Sequence, residues 1–193
     1  MPFPRRAAAR VVSSLVAGGL LSAAATSGLP AQAELTDSQL RAAFLFRFGQ
    51  YVDWPAGSKG ASTDEPLVIG VYGDPALVDD LGRMVSGRQI AGRSVEVRTL
   101  DRPDDLDDLA IVFVGTDDAL LIGRALRAAR DRGILTVGDT DGFAERGGMV
   151  NFFREERKMR FEVNVAATGQ SGIRLSSQLL RLARIVNDSE ARP

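Results

Sequence analysis

The chain has 193 residues, with 24 Lys and Arg against 25 Asp and Glu, a formal net charge of −1, and neither cysteine nor histidine. Those two absences exclude disulfides, thiol nucleophiles, a Ser-His-Asp triad and zinc or haem held by His or Cys. There is no cationic excess to neutralise phosphates, which argues against nucleic acid, so carboxylate chemistry remains: a hard-metal site or an acid pair for glycoside cleavage.

Residues 1–33 read as a cleavable signal peptide. Arg5, Arg6 and Arg10 give a basic start, Val11 to Leu29 is apolar or small, and no acid precedes Glu34. Ala31-Gln32-Ala33 supplies the small-x-small exit that a signal peptidase reads. Residues 34–193 are then expected to form a single domain outside the cytoplasm. No second long apolar run follows, so no transmembrane segment is expected in the mature chain.

The first predicted element is a helix. Thr36 and Gln39 have the spacing of a capping box, and Leu40, Phe44, Phe48 and Tyr51 recur at helical intervals. Trp54-Pro55 stops it, because proline disfavours helix at the residue before. Strands and helices then alternate. Leu67–Tyr72 and Ala110–Gly115 are continuous apolar strands, Ser94–Leu100 alternates, and Ile134–Val137 is a third buried strand. Leu77, Leu81 and Met84 mark one intervening helix, and Ile122, Ala125, Leu126 and Ala129 mark another. This alternation predicts an α/β fold: a mostly parallel sheet covered by helices on both faces. Met149–Phe153 and Met159–Val165, around Arg154–Lys158, predict a C-terminal β-hairpin. Leu175, Leu179, Leu182, Ala183 and Val186 predict a final helix.

Three motifs fail on their details. Gly70-Val71-Tyr72-Gly73 follows a strand but is neither G-x-G-x-x-G nor a P-loop. Asp139-Thr140-Asp141-Gly142 resembles half a calcium loop, yet Gly148 stands where the bidentate Glu is required. Asp101–Asp108 holds five acidic residues and reads as a solvated loop. No catalytic residue, metal ligand or cofactor site is assigned.

The hairpin is the best candidate for recognition. Strand alternation sends Phe161, Val163 and Val165 to one face and Arg160, Glu162 and Asn164 to the other, with Phe153 or Asn151 expected to neighbour them across the hairpin. This second face reads either as the wet side of a half-buried hairpin or as a polar patch bordered by aromatics that binds a partner. Asn151, Phe153, Arg160, Glu162 and Asn164 are the candidate partner-binding residues.

The sequence resembles the YfiR-like family of exported bacterial proteins. The resemblance rests on Ala43–Pro55, with its Tyr51-Val52-Asp53-Trp54-Pro55 ending, and on Leu135–Asp139, Gly142-Phe143, Gly147–Phe152, Arg160–Asn164 and Leu175–Ala183. It implies a periplasmic α/β domain without catalytic activity. It implies a partner as well: the periplasmic part of an inner-membrane diguanylate cyclase or another membrane signalling protein, with repression of cyclic-di-GMP synthesis and biofilm formation. A homodimer is compatible with it. With no cysteine, redox gating by thiol–disulfide exchange is impossible in this chain. Two other readings stand beside this one: a solute receptor binding at the carboxyl ends of the parallel strands, and a carboxylate hydrolase.

Overall fold

The computed structural model describes residues 35–186. The expected signal peptide and its cleavage site lie outside the described residues. Helix α1 (Asp37–Gln50) opens on the expected capping box: Thr36 Oγ1 accepts from the Gln39 N–H, and Gln39 Oε1 accepts from the Thr36 N–H. A two-residue strand β1 (Val52–Asp53) follows. Strand β2 (Leu67–Tyr72) leads to helix α2 (Pro75–Val85), capped by the Asp74 side chain on the Leu77 N–H and started by a proline at its first position. Then come β3 (Gln89–Ile90), β4 (Arg93–Leu100), β5 (Ile111–Val114), helix α3 (Ala119–Ala129) with Asp118 as its cap, and β6 (Leu135–Gly138). The hairpin is β7 (Val150–Glu155) and β8 (Lys158–Asn164). The described residues close with short pieces: α4 (Val165–Gln170), β9 (Arg174–Leu175), α5 (Ser177–Leu180) and β10 (Arg184–Val186).

Eight strands form one mixed sheet in the order β10-β8-β7-β6-β5-β2-β4-β3. Strands β4, β2, β5, β6 and β7 run parallel; β8 returns antiparallel to β7, and β10 lies parallel to β8. Strand alternation divides the core. Ile69, Ile111, Leu135, Val150 and Val163 join Leu45 and Phe48 of α1 and Leu77 and Leu81 of α2 in one cluster. Val68, Val112 and Val114 join Ile122, Ala125 and Ala129 of α3 in another. At the hairpin the first cluster turns aromatic: Phe44 and Phe48 of α1 lie 5.4–5.8 Å, ring centre to ring centre, from Phe152 and Phe161.

The end of the chain departs from expectation. Among the described residues there is no long final helix. Leu175 belongs to β9 and pairs with Val52, Leu179 is buried in the single turn of α5, and Leu182 is 66 % exposed. Residues at helical spacing therefore belong to three separate elements. The polypeptide instead returns to the sheet as β10, which places Arg184 opposite Glu162. Val165 likewise is the first residue of α4, not the last of a strand.

Candidate functional site

The hairpin register explains how the polar residues meet. Asn151 stands opposite Glu162, and Phe153 opposite Arg160. Alternation gives these four the face away from the Phe152–Phe161 pair. There the wet-side reading fails for Asn151, Glu162 and Asn164. Glu162 is 5 % exposed, Asn151 2 % and Asn164 0 %. The physical reason is β10, which covers the outer edge of β8 and brings its own cation.

Glu162 is the centre of the layer. Asn151 Nδ2 donates to Glu162 Oε1 at 3.1 Å, and Arg184 Nε donates to Glu162 Oε2 at 3.0 Å, with Arg184 Nη2 on the same oxygen. The Arg184 guanidinium also lies over the Phe153 ring, 4.0 Å from its centroid. A buried carboxylate is tolerable when a cation and hydrogen bonds surround it, and both are present. Asn151 Oδ1 has no hydrogen-bond partner among the described residues.

Of the predicted site residues, the structure thus gathers Asn151, Phe153 and Glu162. Arg160 is exposed beside them and pairs with Glu155 at 3.4 Å. Asn164 acts elsewhere. Its Oδ1 accepts from the Ala167 N–H and its Nδ2 donates to the Ala144 carbonyl, so it caps α4 and ties down the loop before β7. Arg184 is the residue that sequence reasoning missed. The β-branched pair Ile185-Val186 was the only local signal for a strand there.

A second charged group lies at the carboxyl ends of the parallel strands. Arg41 Nη1 of α1 is 2.5 Å from Asp139 Oδ2, just past β6, and 3.0 Å from Asp74 Oδ2, just past β2. Burial holds the Asp139 carboxyl above its ordinary pKa; Arg41 pulls it down, and nearby Asp74 pushes it up again. The cleft beside this group measures only about 200 Å³. The acidic loop is tied to cations: Asp104 to Arg102 and Arg124, Asp107 to Arg132, and Asp108 to Lys59.

Residues 38–184 match the YfiR/HmsC-like family. The chain belongs to that family. YfiR-like proteins are periplasmic regulators in cyclic-di-GMP signalling, regulatory rather than catalytic. No curated protein matches the chain in sequence. Among solved structures it is similar to a conserved domain protein from Vibrio cholerae, with 14 % identity and a TM-score of 0.49. The match covers 78 % of this chain and 60 % of that one. Among the described residues no helix is long and apolar enough to cross a membrane.

Proposed function

We propose that the chain is exported, loses residues 1–33, and acts in the periplasm as a non-catalytic regulator of an inner-membrane signalling protein. The target we favour is the periplasmic sensor part of a diguanylate cyclase, whose restraint limits cyclic-di-GMP synthesis. Membership of the YfiR/HmsC-like family across residues 38–184 is the observation that carries this reading.

The contact surface we assign is the outer end of the hairpin. Arg160 is exposed and Phe153 half-buried there, and Arg184 lies across the Phe153 ring. Arginine and aromatic side chains dominate interface energetics when a rigid base presents them. Glu162 and Asn151 form that base and hold the guanidinium in place from beneath. Asn164 belongs to the scaffold.

Deleting the gene should raise cellular cyclic-di-GMP. Supplying Arg160→Glu should fail to lower it again, while the variant melts at the wild-type temperature. Unchanged cyclic-di-GMP after deletion would overturn the reading. So would hydrolysis of a physiological substrate that is lost on replacing one carboxylate.

A further inference from the structure

The Tyr51–Pro55 segment ends α1 and does not touch the hairpin's polar layer, yet it borders a cavity of about 870 Å³ at the start of β2. This lies at the end of the strand opposite Asp74. The far wall of the cavity is the surface loop 59–66, and that loop is unusually fixed. Arg93, 7 % exposed, donates to the carbonyls of Lys59 at 3.1 Å, Gly60 at 2.7 Å, Glu65 at 2.7 Å and Pro66 at 3.0 Å. A buried guanidinium is costly unless its donors are engaged, so these bonds hold the loop in one arrangement. Gly60 lies so close to the Trp54 indole that a Cβ would come within 2.2 Å of Cδ2. The wall is therefore built before any ligand arrives.

The floor is apolar, with Leu67 and Ile90 buried beneath it. Unengaged polar groups stand on the rim. The Asp53 carboxylate and the Tyr51 hydroxyl have no partner among the described residues. Among the described residues the Arg47 guanidinium is bonded only to Gln50 Oε1, at 3.3 Å. Arg47 and Asp53 carry opposite charges on one rim and do not pair with each other.

This lining selects by elimination. An anion would meet Asp53, and the second cation, Arg93, is buried with four of its donors already on carbonyls. A cation would meet Arg47. A wholly apolar ligand would strip water from Arg47, Gln50 and Asp53 and give nothing in return. A zwitterion would have to match its own charge separation to that of Arg47 and Asp53, whereas a neutral molecule with a C–H face for the floor and the Tyr51 ring, and a rim of hydroxyls that both donate and accept, meets either group without that demand. A pyranose sugar has that anatomy. The volume falls within the range of about 300–1,000 Å³ usual for small-ligand sites and exceeds what one ring fills. We propose that this cleft binds a short neutral oligosaccharide.

The proposal needs no partner protein, so it stands or falls apart from the regulatory reading. Titration calorimetry on the purified protein tests it, with chitotriose and maltotriose as probes. Saturable one-site binding of either supports it: preference for chitotriose marks an N-acetylated wall glycan as the source, and preference for maltotriose a free sugar. Asp53 and Gln50 are exposed, so Asp53→Ala and Gln50→Ala leave the fold intact. Asp53→Ala should weaken binding about tenfold or more without moving the melting temperature. Tyr51→Phe, which keeps the ring, should weaken it by only about threefold. The proposal is overturned if neither trisaccharide binds saturably, or if Asp53→Ala and Gln50→Ala both leave affinity within about twofold of wild type.

Discussion

Glu162 and Arg184 form one ion pair but stand in different surroundings. The side chain of Glu162 is 7 % exposed and that of Arg184 57 %. That asymmetry decides which deletion costs more. Glu162→Gln frees an arginine that can rehydrate and still rest on Phe153. Arg184→Ala leaves a buried carboxylate with a single amide hydrogen bond from Asn151. We expect about 2–4 kcal/mol of destabilisation for Arg184→Ala and about 1 kcal/mol for Glu162→Gln, measured by urea unfolding. The reverse order would mean that water reaches the carboxylate. Asp139 gives a pH signature of its own. Its folded-state pKa is raised above the ordinary value of 3.8, chiefly by burial. The folded chain therefore binds this proton more tightly than the unfolded chain does. The resulting stability is fully present below the unfolded pKa and is lost as pH rises through the folded pKa. Asp139→Asn removes that loss, so its melting temperature relative to wild type should climb between pH 4 and pH 7. A constant difference across that range would contradict the assignment.

At the scale of elements, the hairpin carries a removable strain. Glu156 and Arg157 both have positive φ, 47° and 67°, between the paired residues Glu155 and Lys158. A two-residue turn of this hand favours Asn-Gly, because side chains bearing a full Cβ clash in the left-handed region. Replacing Glu156-Arg157 with Asn-Gly should stabilise the chain by about 1–2 kcal/mol, read from the urea midpoint with an unchanged slope. The same hairpin shows how far sequence reading reaches. Leu67–Tyr72 and the apolar run through Ile111–Val114 were legible because strands buried on both faces need continuous apolar residues. The Thr36–Gln39 cap was legible because its donors and acceptors lie three residues apart. On the hairpin, alternation put Arg160 and Glu162 on one face, since period two is local, and the register sets both Phe153 and Asn151 opposite them. Alternation could not tell that this face is covered. That depends on Arg184, 22 residues beyond Glu162. The spacing of Leu175, Leu179 and Leu182 imitated a helix and concealed the strand that delivers the arginine.

Over the whole molecule, the sheet order sets β2 between β4 and β5, so successive crossovers leave β2 in opposite directions. The crevice outside the carboxyl ends of strands at such a reversal is the usual ligand site of open α/β sheets. Here the chain's own hydrogen bonds and ion pairs tie the strand ends together. The Gly115 N–H donates to the Tyr72 carbonyl at 2.8 Å, and Thr140 Oγ1 donates to the Thr116 carbonyl at 2.7 Å. Arg41 draws the strand ends together from above through Asp74 and Asp139. Closure depends on Gly73. Its φ is +80°, and a Cβ there would lie 2.2 Å from the Gly115 carbonyl oxygen, a backbone atom that no rotamer change can move. Gly73→Ala must therefore push the end of β5 away from β2 as well as strain its own backbone, and we expect a loss of more than about 2 kcal/mol. Gly82, in the interior of α2, is the matched control: nothing lies within 4 Å of its missing Cβ, and its backbone is helical. Gly82→Ala should raise stability by about 0.5–1 kcal/mol, because alanine loses less conformational freedom in a helix. Urea unfolding of the two variants side by side separates the causes. If both shift the midpoint in the same direction, the cost at Gly73 is not the contact with Gly115, and the carboxyl edge is looser than its hydrogen bonds imply.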